Sequence, residues 1–151
     1  PRALGARSVL ASPTQTVFRD RLNRHKGREA WRPLAPVVLL EDRTLFADLV
    51  PSPWMILTIL ATAQGRLQIP GGIHVDGTAR VQTVGPEDDP FLRELLERLP
   101  DYGHPPCVLN TSLNRRGEPI VNTAAEALEA SHAMRLDAIV LGETVLPLAP
   151  R

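Results

Sequence analysis

Short apolar runs alternate along this chain with segments that open in helix-capping chemistry, and no other feature narrows its folding choices as far. The runs at 36–40 (PVVLL), 54–61 (WMILTILA), 107–110 (CVLN) and 138–141 (AIVL) are apolar on consecutive residues, as strands covered on both faces are. Residues 78–84 alternate instead. Ala79, Val81 and Thr83 share one side and Arg80, Gln82 and Val84 the other, which predicts a strand with one polar working face. Between the runs lie three helix starts. Ser12-Pro13-Thr14-Gln15 reads as an N-cap serine, a first-turn proline and a capping-box glutamine, opening a helix to about Arg24 that turns Val17, Phe18 and Leu22 inward. Asp89-Pro90 opens a second, with Phe91, Leu92, Leu95, Leu96 and Leu99 at helical spacing and Pro100 and Gly103 to stop it. Thr123 to Glu126 is a second capping box, leading into Ala127, Leu128 and Met134. Interleaved strands and helices predict an α/β (α+β) layer structure.

With 151 residues, 43% of them hydrophobic, the chain suffices for one domain, 1–151, with a real core. Its 17 basic and 17 acidic residues cancel, which argues against a surface built for nucleic acid, since phosphate-backbone binding needs an excess of Lys and Arg. The charge is uneven: residues 19–32 are markedly basic and 87–97 mostly acidic, a pattern that suits a local anion site. A lone cysteine, Cys107, excludes an internal disulfide and reads as a buried, inert thiol. No apolar stretch nears the ~20 residues of a membrane span, so no membrane partner and a cytoplasmic setting are expected. The opening PRALGARS reads like the middle of a motif, so a longer parent protein is expected.

Three clusters have the composition of a binding site. Lys26, Arg28 and Arg32 follow the first helix. Pro33 holds Arg32 extended, and a guanidinium fork with a compact ammonium suits a small dianion. The same residues would also serve as a solvated face or as cations at a helix C-terminus. In the second cluster, HVDGTARVQ at 74–82, Gly71, Gly72 and Gly77 free the backbone to turn. There His74 and Asp76 form a candidate acid/base pair in which the carboxylate raises the imidazole pKa, with a turn-stabilising Asp as the alternative. The third, LNTSLNRRGEP at 109–119, runs an apolar strand into small polar residues. Strand ends are where open α/β sheets place ligands, and Asn110, Thr111 and Ser112 offer short donors and acceptors. A plain polar turn is the alternative. The GxxxxGK[ST] phosphate cradle is missing, Ser112 has no evident base, and no grouping has metal-ligand spacing.

Four strings, PRALGARS (1–8), LNRHKGREAWRPLAP (22–36), HVDGTARVQTV (74–84) and LNTSLNRRGEPIV (109–121), resemble in order the C-terminal domain of the nodulation and antibiotic-tailoring O-carbamoyltransferases. That resemblance implies a YrdC/Sua5-like twisted mixed sheet with flanking helices. It also implies formation of carbamoyl-adenylate from carbamoyl phosphate and ATP with Mg²⁺, the nucleotide bringing the metal. A preceding Kae1-like domain of the same polypeptide, holding iron or another metal, would then pass the carbamoyl group to an acceptor hydroxyl. Carried over by position, Lys26, Arg32 and Arg80 form the catalytic set. Arg2, Arg28, His74, Asn110, Thr111 and Ser112 are substrate-binding residues, and no protein-held metal is expected. Leu34 and Leu113 stand where the family often has Phe. A threonylcarbamoyl-adenylate synthase of the tRNA-modification type and a non-catalytic nucleotide-binding module are the alternatives, and the carbamoyltransferase reading is compatible with a homodimer.

Overall fold

A computed structural model describes residues 3–148. The fold is α+β, with one small mixed sheet, two antiparallel ribbons and flanking helices. The elements are β1 (Ser8–Ala11), α1 (Thr16–His25), β2 (Ala35–Leu39), β3 (Thr58–Leu60), α2 (Ala63–Gln68), β4 (Thr78–Arg80), β5 (Gln82–Val84), α3 (Pro90–Arg98), β6 (Cys107–Ser112), α4 (Ala124–Ala133), β7 (Ala138–Leu141) and β8 (Thr144–Pro147).

The main sheet runs β1-β6-β2-β5. β6 is antiparallel to both neighbours, pairing Leu10 with Asn110 and Val37 with Val108, while β2 and β5 are parallel. Alternation along β6 divides the core. Val108 packs with Val37, Val84 and the fully buried Leu92 and Leu96 of α3 on one face. Cys107 and Leu109 join separate clusters, around Phe46 and Ile69 and around Leu22, Leu34 and Met134. Burying a leucine of this kind contributes about 1.5–3 kcal/mol, so α3 is held mainly through two side chains. Phe91, expected to join them, is 53% exposed.

The helix starts on acidic and threonine caps form as expected: Asp89 accepts from Leu92 N, and Thr123 and Glu126 make the reciprocal capping box. The first one shifts. Ser12 Oγ bonds Thr14 Oγ1 at 2.9 Å, and the helix begins at Thr16 behind Gln15, which makes no side-chain cap. A tertiary bond explains the change: the Pro13 carbonyl accepts from Gly71 N, so residues 12–15 are drawn toward the 3₁₀ turn Pro70–Gly72. Val17 consequently faces out, 56% exposed. The role of Gly71 and Gly72 also differs from expectation. A Cβ on Gly71 would lie 2.9 Å from the Pro13 and Gln15 carbonyls, and one on Gly72 2.7 Å from Pro36; they are there for close packing.

Two expected strands are shortened. Of 54–61 only Thr58–Leu60 is extended, because Met55 adopts a left-handed φ of 55° and donates its N–H to Ser52 O in a turn. The strand over 78–84 breaks at Val81: β4 pairs with β3, and β5 with β2. Arg80 is left exposed, while Gln82 and Val84 are buried, so the single polar face anticipated there does not exist. No helix among the described residues is long and apolar enough to cross a membrane.

Candidate functional site

The ending of α1 sets the site. Gly27 takes the left-handed φ of +67°; its N–H donates to Arg24 O, and Arg28 N–H to Asn23 O. This is the Schellman arrangement, which satisfies the last helical carbonyls and reverses the chain. Beyond it the loop is clamped from behind. Asn23, fully buried, donates through Nδ2 to Ala30 O at 3.2 Å and Arg32 O at 2.7 Å. Lys26, Arg28, Trp31 and Arg32 are thereby carried on backbone that is fixed at both ends.

These residues form one wall of a cleft of about 610 Å³. The end of β6 supplies Asn110, Thr111 and Ser112, the loop after it Asn114, Arg115 and Arg116, β4 supplies Arg80 and the turn before it His74. All the expected site residues within the described range therefore line a single cavity. Arg2 lies outside the described residues. The cleft takes in six Lys or Arg side chains, and no carboxylate among the described residues lines it.

Lys26 is 2% exposed. Its ammonium donates to Ser112 O, to Asn114 O and, at 3.3 Å, to Asn114 Oδ1, so its three donors are committed to the loop after β6. Burial, with the Arg28 charge adding to it, lowers its pKa to about 8, against a smaller opposing pull from Glu118. Lys26 thus acts as a loop anchor and as a charge behind the wall. Arg28 donates to Thr111 Oγ1 at 2.9 Å, and its buried Nε has no partner. Desolvation and the Arg32 and Arg80 charges push its pKa down, against an opposing pull from Glu29, as expected of crowded cations. Glu29 stands outside, 3.6 Å from Arg32 and 3.5 Å from Arg116, and Arg115 is held by Glu118.

His74 departs from its expected role. Asp76 spends its carboxylate on Thr78 N and Oγ1, taking the turn-stabilising option. The His74 pKa is lowered: desolvation by burial and the Arg80 charge prevail over the raising effect of Asp76. Because Thr78 Oγ1 gives its one hydrogen to Asp76, His74 Nδ1 must donate to that oxygen (3.1 Å), leaving the neutral ring's buried, unpartnered Nε2 as an acceptor. Ser112 Oγ donates to Asn114 Oδ1 at 2.5 Å, an amide that cannot serve as a base, in line with the absence of a nucleophilic triad. Cys107 is buried, its thiol pKa raised by desolvation, and among the described residues no cluster of potential metal ligands occurs.

Several participants escaped the sequence reading. Trp31 stands on the rim, 76% exposed, with Met55 across the lining; its place between Ala30 and Arg32 was visible, but not its presentation. Arg115 and Arg116 look like turn residues in a Gly-Pro context. Asn23 and Gln82 act from behind the lining; alternation marks Gln82 as a polar neighbour of Arg80, but nothing in spacing marks Asn23.

Residues 1–147 match the family described as "Carbamoyltransferase C-terminus". The chain is 38% identical over 151 residues to nodulation protein NolNO of Sinorhizobium fredii, covering 97% of this chain and 22% of that one. It is 36% identical to nodulation protein U of Rhizobium tropici (99% and 27%). It is 37% identical to the 3'-hydroxymethylcephem-O-carbamoyltransferase of Amycolatopsis lactamdurans (95% and 28%). It thus spans roughly a quarter of the length of these relatives.

Proposed function

Because this chain belongs to the carbamoyltransferase C-terminus family, we propose that its cleft binds carbamoyl phosphate and ATP and forms carbamoyl-adenylate. A preceding domain of a longer polypeptide then delivers the carbamoyl group to a hydroxyl of a small acceptor. The observation that carries this reading is the charge of the cleft: six cations converge on it, and no carboxylate among the described residues lines it. Bringing an acyl phosphate and a triphosphate together requires several negative charges to be neutralised at once, and fixed guanidinium groups achieve that without reorganising during the reaction.

Arg28, Arg32 and Arg80 hold phosphoryl oxygens, Arg28 through the Nε that has no protein partner. Lys26 supplies field from behind and keeps the Ser112–Asn114 backbone in place. Trp31 offers an open indole face for adenine on the rim. In the overall balance, carbamoyl phosphate, ATP and one water give carbamoyl-adenylate, phosphate and pyrophosphate. No protein nucleophile is called for, which agrees with a Ser112 hydroxyl bonded to an amide oxygen. A divalent ion enters as part of the nucleotide substrate.

The test is exchange of labelled pyrophosphate into ATP by the whole protein that carries this chain. Exchange that requires carbamoyl phosphate, without threonine or bicarbonate, is the expected result. A requirement for threonine and bicarbonate would point to the tRNA-modification chemistry instead, and nucleotide binding without exchange to a non-catalytic module.

A further inference from the structure

The main sheet has two outer strands, and only one of them is closed off. At β5 the cover is Ser52, whose carbonyl accepts from Thr83 N–H at 3.3 Å and whose Oγ donates to Val81 O at 3.1 Å. β1, at the other end, has no such cover. Leu113 N–H donates to Arg7 O, and with the β1–β6 register this makes Val9–Thr111 and Ala11–Leu109 hydrogen-bonded pairs of the ladder. The backbone groups of Ser8 and Leu10 therefore point away from β6, and nothing among the described residues bonds them.

The β7–β8 ribbon repeats the pattern. Leu148 N–H donates to Asp137 O, so Ile139–Leu146 and Leu141–Thr144 are its hydrogen-bonded pairs. Ala138 and Val140 turn their backbone groups outward on one side, Val145 and Pro147 on the other. The two sides differ. Pro147 has no N–H and blunts the β8 edge, a common device against strand pairing. The β7 edge, AIVL at 138–141, carries neither proline nor charge.

The two open edges, β1 and β7, line one cavity of about 590 Å³ without bonding each other. Val9 and Ile139 share a core cluster with Ala127 of α4, so both strands rest on that helix, and beneath the gap it presents the small side chains of Ala124, Ala127 and Ser131. On the other face, where Leu10 packs with α3, Phe91 and Val140 border the gap, 53% and 48% exposed. An occupant that suits these walls supplies backbone donors and acceptors along two edges and apolar side chains to two faces. An extended strand, apolar on consecutive residues, has that chemistry. A small apolar molecule would leave the backbone groups unmet.

We infer that such a strand, matching the four residues of each edge, inserts between β1 and β7 and joins the main sheet and the ribbon into one sheet. Its source is the same polypeptide. The relatives carry this region as roughly a quarter of their length, and a segment tethered to its groove binds at high effective concentration. The inference rests on the longer polypeptide of the proposed function and is independent of what the cleft binds.

Amide hydrogen exchange, resolved to single residues in the whole protein that carries this chain, tests the insertion. Relative to unstructured-peptide rates, Ser8, Leu10, Ala138 and Val140 are expected to exchange at least about 100-fold more slowly than the outward Val145 amide. Val140→Pro removes an N–H that the ribbon itself does not use. It is expected to speed hydrogen exchange at Ser8 and Leu10, across the gap, by about 10-fold or more, whereas Val145→Pro on the blunted edge leaves them within about 2-fold. If Val140→Pro is not folded by circular dichroism, the comparison of amides in the unaltered protein decides. Four amides no slower than Val145 overturn the proposal, as does a folded Val140→Pro protein in which Ser8 and Leu10 stay slow. Protection that rises with protein concentration also overturns it, because a second copy then supplies the strand. Protected amides in a protein that exchanges no pyrophosphate into ATP uphold the strand and sink the proposed function; pyrophosphate exchange with unprotected amides does the reverse.

Discussion

Two cavities of nearly equal size lie in this molecule, the cationic cleft at about 610 Å³ and another of about 590 Å³ beneath β1, α4 and β7. They differ in what their walls leave unmet. Around the second, Val9, Leu113, Val121, Ala127, Ile139 and Leu141 supply apolar surface, and the polar groups mostly serve the fold. Arg7 donates to Val121 O at 3.1 Å, Ser8 Oγ accepts from Gly5 N, Asp137 pairs with Arg21, and Thr123 caps α4. Ser131 Oγ is the one buried, partnerless side-chain atom on that wall among the described residues. The cleft instead has Arg28 Nε, His74 Nε2 and Asn110 Oδ1 in that condition, beside crowded cations. Volume does not distinguish the two. The number of unmet side-chain hydrogen-bonding groups on the wall does, three against one, and each such group calls for a partner.

The contrast can be broken most sharply by removing a cleft cation. Arg28→Ala is expected to weaken inorganic phosphate binding about 10- to 100-fold, as loss of a charged hydrogen bond implies, whereas Arg7→Ala in the second cavity leaves it unchanged; equal effects in titration calorimetry would erase the distinction. Asn23→Ala comes next. It touches no ligand, yet it releases the loop that carries Arg28 and Arg32. Thermal unfolding should show a loss of about 1–3 kcal/mol together with several-fold weaker phosphate binding. Trp31→Ala should lower affinity for ATP about 5- to 10-fold and leave that for inorganic tripolyphosphate alone, since stacking on a base contributes roughly 1–3 kcal/mol. A parallel loss for both ligands would remove the adenine from that rim.

The smallest effect expected is a dependence on pH. Lys26 holds its proton up to about 8 in the folded chain but up to its ordinary value of 10.5 when unfolded. Between those limits the unfolded chain binds more protons, so the Lys26 contribution to stability rises with pH, while the positive field in the cleft fades and anion affinity falls. Opposite slopes for unfolding and phosphate binding, both flattened in Lys26→Met, are the expected signature. Parallel slopes would mean that another group titrates.

Much of this could be read beforehand where a local rule was sufficient. Asp89 and Thr123 cap their helices because the bonds involved span three or four residues, and the run at 107 forms a strand because burial on both faces admits little else; the run at 138 also forms one, but it buries only Ile139 and leaves Val140 48% exposed in a ribbon with β8. The rule failed at Ser12, where a bond from Gly71 outweighed a good local cap, and at 54–57, where a turn at Met55 overrode apolar composition. The cleft followed the same division. Its charged lining was visible as residue types, whereas the bonds that brace it were not: the Asn23 clamp, the bond from Gln82 Nε2 to the Leu4 carbonyl and the bond from Asn110 Nδ2 to Gln82 Oε1 join residues 7 to 78 positions apart, and no spacing within one segment announces them.

The interruption at Val81 has a further effect. One residue on its near side, Arg80 belongs to the ribbon and lines the cationic cleft; one residue on its far side, Gln82 belongs to the main sheet and accepts from Asn110 Nδ2 behind that cleft. A cation of the cleft lining and a hydrogen-bonded support behind that lining are therefore covalent neighbours, geared together by a single intervening valine. Substitution can retune either by itself, but lengthening or shortening the chain at this point would throw both out of step.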